Sequence, residues 1–274
     1  MVTTSSGLPY DSIPAFGLLY DSVPAYAARG DVRFYVAEAA RERGPVLELG
    51  CGTGRVLLPM ARAGATVVGL DGSRQMLARC REKLEGESGT TRARATLRQG
   101  DVRDFDAGAT FRLVVAPFRV LQHLVAIEDQ LRCLEAVARH LAPGGRFIFD
   151  VFNPHFASLT ADRSREQEDT PEQVLADGRS LRRTVKIPRV RWTEQVSETE
   201  LIYYLSERPA APPTRHVQAF EMRWYVRAEL IHLLARSGLR VQAIYGDFDR
   251  SPLADGSPEQ VVCAERAGPS GASP

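Results

Sequence analysis

Val46-Leu47-Glu48-Leu49-Gly50-Cys51-Gly52-Thr53-Gly54-Arg55 is an apolar run that breaks into alternating glycines and resumes at once as Val56-Leu57-Leu58. A run of strand length, then glycines, then a helix-like pattern predicts strand, tight turn and helix. Glycines let the backbone approach a ligand closely, and the first amides of the following helix have no intrahelical partner. The stretch therefore reads as a cradle for a nucleotide-type cofactor.

Spacing separates the candidate cofactors. A dinucleotide fingerprint needs G-x-G-x-x-G, whereas here the glycines fall at 50, 52 and 54 and position 55 is Arg. Glu48 stands two residues before the first glycine, where a carboxylate would meet a cationic ligand rather than a pyrophosphate. The pattern resembles motif I, E/D-x-G-x-G-x-G, of the class I S-adenosylmethionine-dependent methyltransferases. A nicotinamide enzyme and a purely structural glycine turn are the alternatives.

Downstream, Thr66 to Leu70 predicts a second strand ending at Asp71, about twenty residues past the glycines, where an acidic side chain usually holds a ribose diol. Ser73 caps a helix with Met76, Leu77, Cys80 and Leu84 on one face. A third strand near 93–98 runs into Gly100-Asp101-Val102, which resembles the family's turn whose carboxylate takes the adenine amino group. Asp104 and Asp106 read as solvated loop charges. Phe111 to Phe118 forms a fourth strand that opens into Arg119-Val120-Leu121-Gln122-His123, beside the reacting centre, since ligands sit at the carboxyl ends of strands in open α/β sheets. A helix carrying Ile127, Leu131, Leu134, Ala138 and Leu141 stops at Pro143-Gly144-Gly145. A fifth strand, Arg146 to Phe152, then delivers Asn153-Pro154-His155. Leu-Ala-Pro-Gly-Gly-Arg before that strand again resembles the family, so four motifs occur in family order between 46 and 152.

The resemblance implies an α/β, Rossmann-like fold: a seven-stranded, mostly parallel sheet with helices on both faces and its last strand antiparallel. Arg227 to Ser237 reads as a late helix stopped by Gly238, followed by strands at 239–248 and 260–264. Between the fifth strand and that helix, residues 155–178 are polar and weakly patterned. Thr184-Val185-Lys186-Ile187, Val190-Arg191-Trp192-Thr193 and Leu201-Ile202-Tyr203-Tyr204-Leu205 alternate as antiparallel strands do. The expected organisation is an N-terminal flap and first helix (1–44), a core (45–154 and 227–266), an inserted antiparallel β cap (155–226) and a disordered tail (267–274).

The flap carries a short echo, Tyr10-Asp11-Ser12-Ile13-Pro14-Ala15-Phe16 repeated as Tyr20-Asp21-Ser22-Val23-Pro24-Ala25-Tyr26. Its Tyr, Asp and Pro suggest turns and extended backbone. Asp31 reads as the N-cap of a helix ending near Gly44-Pro45. Placed ahead of the first core strand, the segment is expected to act as a lid.

With 274 residues, 44% hydrophobic and 25% charged, the chain suits one large domain or a domain with a sizeable insertion. A net charge of +1 announces no polyanion surface, and no Asn/Asp-Pro-Pro-Tyr/Phe motif follows the fourth strand, so no nucleic-acid partner is expected. The apolar runs are short of a membrane span and the first residues lack signal-peptide character, which gives a soluble, cytoplasmic expectation with no membrane partner. Cys51, Cys80, Cys133 and Cys263 lie far apart, giving neither a zinc site nor a disulfide framework. Cys51 reads as a small buried residue rather than a nucleophile.

The resemblance implies that S-adenosylmethionine gives its methyl to N, O or C of a small molecule and leaves as S-adenosylhomocysteine. Expected cofactor positions in the turn are Glu48, Gly50, Cys51, Gly52, Thr53 and Gly54. Asp71, Gly72 and Met76 follow for the ribose side, and Asp101 with Val102 for the adenine. Ala116, Phe118 and His123 come from the fourth strand, while Tyr20, Tyr26 and Arg29 bring lid donors for the cofactor carboxylate. Acceptor contacts are expected from Phe118, Arg119, Gln122, Asn153 and His155. In the insertion, Arg191, Trp192, Arg223 and Trp224, with Tyr225, suggest a pocket for an anionic or amphipathic acceptor and a possible homodimer face. His123 is the candidate general base, because an unperturbed imidazole titrates near neutrality. Two other functions stay open at this level: a cofactor-binding partner subunit without turnover, and a nicotinamide-dependent oxidoreductase.

Overall fold

The computed structural model of the protein describes Ile13 and residues 16–268. The first copy of the Tyr-Asp echo lies, apart from Ile13 and Phe16, outside the described residues, as does the tail from 269 onward.

Seven strands make the main sheet: β1 (Val46–Leu49), β2 (Val67–Asp71), β3 (Ala95–Gln99), β4 (Phe111–Ala116), β5 (Leu141–Phe152), β10 (Leu239–Tyr245) and β11 (Glu259–Arg266). Their order is β10-β11-β5-β4-β1-β2-β3. The first five are mutually parallel, and β11 enters antiparallel between β5 and β10. Every residue of β1 is buried, as expected of a central parallel strand covered on both faces.

Alternation sorts the side chains into two apolar layers. Leu47, Leu49, Val114, Phe147 and Phe149 pack with Leu134 of α7 (Ile127–His140) and with Leu230 and Leu234 of α9 (Arg227–Arg236). Val46, Leu113, Val115 and Ile148 pack with Tyr35 of α3 (Asp31–Arg41) and with Leu57 and Leu58 of α4 (Leu57–Arg62). α5 (Arg74–Glu85) starts at Ser73, whose hydroxyl accepts the Met76 amide at 3.2 Å.

After β5 come the short α8 (Phe156–Thr160) and a second, antiparallel sheet in the order β6-β7-β8-β9. Its strands are β6 (Gln167–Val174), β7 (Ser180–Arg191), β8 (Val196–Ser206) and β9 (Thr214–Arg223). Leu181 and Tyr203 of this sheet close on Phe16 and Leu19 of α1 (Phe16–Asp21) and on Met76. The N-terminal segment is thus wedged between the core and the second sheet.

Several expectations change. Around the second copy of the echo the chain forms two short helices, α1 and α2 (Pro24–Ala27), not extended backbone. Asp31 is not a cap: Gly30 holds that position, and Asp31 is fully buried, bonded to two arginines. β3 begins at Ala95 behind an unforeseen helix, α6 (Gly89–Arg94). Trp192 and Thr193 leave the strand for a 3-10 turn that ends at Gln195, whose φ is 57°. β6 lies within the stretch read as weakly patterned, because only Thr170 of its eight residues is buried.

Candidate active site

The glycine turn follows β1 with three left-handed residues, Gly50 (φ 67°), Gly52 (φ 55°) and Gly54 (φ 80°), a conformation that costs other L-residues energy. Each glycine answers a different constraint. A Cβ on Gly54 would lie 2.6 Å from the Cys80 sulfur, so the turn is packed tightly onto α5. A Cβ on Gly52 would meet nothing closer than the Met76 methyl at 3.4 Å and would project into open space. That space is the site.

Asp71, at the carboxyl end of β2, fixes the turn from below. Its Oδ2 accepts the Gly52 amide and its Oδ1 the Ser73 amide, both at 2.8 Å. Arg55 closes the turn from the other side through paired bonds to Asp31 at 2.8 and 2.6 Å, with its guanidinium 4.7 Å from the Phe118 ring centre. At the end of β4 the chain bends through two consecutive left-handed residues, Phe118 (φ 59°) and Arg119 (φ 69°). Such strain persists only where the surroundings enforce it. Here Asp150 accepts the Phe118 amide at 2.9 Å, and the ring packs against Tyr26 at 4.9 Å and Tyr20 at 6.3 Å.

A cavity of about 1000 Å³ extends from this turn to the second sheet. Gly50, Gly52, Asp71, Gly72 and Met76 line its floor, and Asp101 and Val102 one wall. Tyr20, Tyr26, Phe118, Arg119 and His123 gather where the two sheets meet. The roof is one face of the second sheet, with Asp169, Arg183, Tyr203 and Gln218 as its polar part and Leu201, Phe220 and Met222 as its apolar part. Arg183 is nearly fully buried, forms two 2.9 Å bonds to Asp169, and donates to the Tyr26 hydroxyl at 2.6 Å. Roof and lid therefore share a hydrogen bond over the cavity.

Other expected residues lie elsewhere. Arg29 is surrounded by Asp31 at 3.1 Å, Asp150 at 2.6 Å and Glu259 at 2.9 Å, so its donors are engaged away from the cavity. Glu48 is buried behind the turn, and among the described residues its Oε2 has no hydrogen-bond partner. Burial pushes its carboxyl well above the usual carboxylate range, opposed by Arg55 and helped by Asp71. Cys51, Thr53 and Ala116 are buried, with Thr53 donating to Asp21 at 2.6 Å. Burial also raises the Cys51 thiol well above its ordinary pKa, which leaves it inert.

Among the expected acceptor contacts, Gln122 spans the backbone of Arg223 (2.7 Å) and Phe152 (3.0 Å). Asn153 donates to the Ser257 carbonyl at 3.0 Å, and His155 is exposed beside Ser158. Arg191 is shared by Glu194 (2.8 Å), Glu198 (2.7 Å) and Glu221 (2.6 Å). Trp192 is half exposed with its ring against the buried Trp224, and neither lines the cavity. The anionic-acceptor expectation loses its basis with them. The arginines that do line the cavity are already paired: Arg103 with Asp101, Arg119 with Glu259 and Arg183 with Asp169.

His123 lines the cavity with an exposed side chain, its ring 5.3 Å from that of Phe220. The surrounding protein, with Arg119 adding repulsion, lowers its pKa below the ordinary imidazole value. The imidazole is neutral at physiological pH.

This topology, with a glycine turn at the end of β1 and an acid at the end of β2, faces a set of similar proteins of one kind. The model of a "Methyltransferase domain" matches residues 46–145. A cypemycin N-terminal methyltransferase from Streptomyces sp is 32% identical over 222 residues, 81% of this chain and 82% of that protein. The dTDP-3-amino-3,4,6-trideoxy-alpha-D-glucopyranose N,N-dimethyltransferase of Streptomyces venezuelae is 34% identical over 81% of this chain and 86% of its own length. Among solved structures, the CcbJ methyltransferase from Streptomyces caelestis superposes with a TM-score of 0.75 at 26% identity, covering 95% of this chain and 99% of that one. The chain belongs to the class I S-adenosylmethionine-dependent methyltransferases. The nicotinamide alternative is set aside with that assignment.

The residues present fit S-adenosylmethionine as the cofactor. The cradle at Gly52 is open to the cavity, a carboxylate stands at the end of β2, and an orphaned carboxyl oxygen of Glu48 lies behind the turn. Among the described residues no helix is long and apolar enough to cross a membrane.

Proposed function

We propose that this enzyme methylates the nitrogen of an amine carried by a small molecule. The cofactor supplies an electrophilic methyl group on a sulfonium. The chain's own task is then alignment of the acceptor, with reacting atoms about 3 to 3.5 Å apart, and exclusion of water.

The observation that carries the reading is the lack of a ready base among the described residues lining the cavity. Asp71 is held by two backbone amides, Asp101 and Asp129 by Arg103, and Asp169 by Arg183. His123, exposed to the cavity, has its pKa lowered by desolvation from the surrounding protein first and by Arg119 second. A hydroxyl or carbon acid would need a base of matched strength. A neutral amine carries its own lone pair and needs none. His123 accordingly acts as a neutral, positioning side chain. The amino-sugar relative, whose name prints N,N-dimethylation, and the cypemycin relative, whose name prints N-terminal methylation, support the same reading.

Within this reading Gly50 and Gly52 hold the amino-acid end of the cofactor, with Glu48 supporting the turn from behind, Asp71 and Gly72 the ribose, and Asp101 with Val102 the adenine. Tyr20, Tyr26 and Phe118 form an aromatic collar at the cavity, with the guanidinium groups of Arg55 and Arg183 against the Phe118 and Tyr26 rings. S-adenosylhomocysteine release should be measured with paired acceptors, a primary amine and the alcohol of the same skeleton. Turnover of amines is expected; turnover of alcohols alone would overturn the reading. A homodimer through the second sheet, where Val174 and Val217 are exposed, is expected to double the mass in light scattering; a monomeric mass would end that part.

A further inference from the structure

A second chamber of about 800 Å³ adjoins the first. His123, Asp129 and Phe220 line both, so the contacting rings of His123 and Phe220, tilted at 55°, mark the border between them. Beyond the border the walls come from three elements: Ile127 and Glu128 at the start of α7, Thr193 and Glu194 of the 3-10 turn, and Glu221 with Arg223 of β9. Single ligands typically occupy about 300 to 1000 Å³, so the inner cavity alone is ample for the cofactor and a small reacting group. The outer chamber is large enough for a ligand portion of its own.

Its charge is one-sided. Glu128, Asp129, Glu194 and Glu221 line it, against Arg223 as the only guanidinium among the described lining residues; Asp129 is bonded from outside to Arg132 at 2.6 Å and Arg103 at 3.4 Å. Arg223 is itself bonded to Glu229 at 2.7 Å, and Arg191, behind the wall, divides its donors among three glutamates. Its apolar contributions, Ile127, Val125 and Phe220, lie beside the carboxylates. Such a wall attracts cationic or neutral polar groups and repels phosphate at short range.

We propose that the acceptor is an extended molecule. Its amine reaches the inner cavity beside the His123–Phe220 border, and its remaining, positively charged or uncharged part fills the outer chamber, which excludes a nucleoside-diphosphate-linked acceptor. The proposal rests on the amine N-methylation reading and adds the size and charge of the substrate to it.

Calorimetry of the S-adenosylhomocysteine-loaded protein with spermidine and, separately, with thymidine diphosphate tests it without depending on turnover. Spermidine is expected to bind at least about tenfold more tightly and to weaken as salt is raised. The double substitution Glu128→Lys with Glu221→Lys should reverse that order while S-adenosylhomocysteine affinity stays as in the wild type. Tighter binding of thymidine diphosphate by the wild type would overturn the proposal. An unchanged order of affinities in a folded double variant, or spermidine binding of equal strength in both proteins, would also overturn it. Failure of every amine to be methylated would instead remove the N-methylation reading.

Discussion

Gly52 and Gly108 have nearly the same backbone conformation, φ 55° and φ 62°, but opposite surroundings. A Cβ on Gly108 would meet nothing within 4 Å, whereas one on Gly52 points into the inner cavity with the Met76 methyl 3.4 Å away. Placing alanine in this left-handed region costs about 1 to 2 kcal/mol at either position. In a domain of this size each kcal/mol shifts the melting temperature by about 2 to 4 °C. Gly52→Ala and Gly108→Ala should therefore lose similar stability, roughly 2 to 8 °C, and differ in cofactor affinity. Gly108→Ala should bind S-adenosylmethionine as the wild type does. Gly52→Ala should lose at least about tenfold, equivalent to about 1.4 kcal/mol, and Gly52→Val should lose detectable binding. Gly54→Ala forms a third arm: with Cys80 sulfur at 2.6 Å and Leu58 at 3.1 Å from the new carbon, it should melt lowest of the three alanine variants. Melting curves and calorimetry on the four variants separate the effects. Equal cofactor affinity in Gly52→Val and the wild type would refute the cradle.

Other perturbations follow from the buried charges. Glu48 has its carboxyl pKa raised by burial, so its contribution to stability is fullest below the unfolded value and is lost as pH rises toward the folded one. Without cofactor, Glu48→Gln should match the wild type near pH 4 and be the more stable protein at pH 8; a difference that does not change with pH would contradict this. Arg29→Met leaves Asp31, Asp150 and Glu259 with one counter-charge fewer, and breaking such a buried cluster should cost about 3 to 5 kcal/mol, read by denaturant unfolding. Removing residues 1–30 should for the same reason destabilise the core as well as open the lid. His123→Ala should lower turnover less than about tenfold, outside the roughly 10²- to 10⁴-fold range of a lost base, with a larger effect on acceptor KM. A wild-type rate falling with a pKa near 6.5 that disappears in the variant would restore the base role.

The core was legible because its signals are local and redundant. Val46 to Leu49 is apolar on both faces of a central strand, the glycines need left-handed φ, Asp71 ends a strand, and Ser73 is a cap that the structure uses as such. The roof was legible only as strands. Alternation marks two faces without saying which covers the cavity, and a slip of one residue exchanges them. Thr199, Leu201 and Tyr203 on β8 and Gln218, Phe220 and Met222 on β9 face inward, yet the conspicuous Arg191, Trp192 and Trp224 drew the acceptor expectation. Arg29 carried no sequence sign of its real partners. Asp150 and Glu259 lie more than a hundred positions away and meet it only in the fold. β6 escaped notice because its exposed, polar residues show almost no period.

The central claim is methyl transfer to nitrogen, and the most direct measurement uses S-adenosylmethionine labelled with carbon-13 in its methyl group. The protein should be incubated with the labelled cofactor and an amine that supports S-adenosylhomocysteine release, and the product examined by NMR with correlation of the labelled methyl to its neighbours. The account predicts one new methyl signal correlated to nitrogen-bearing carbons. A methyl bound to oxygen or carbon, or label remaining wholly on the cofactor with every amine tried, would contradict it.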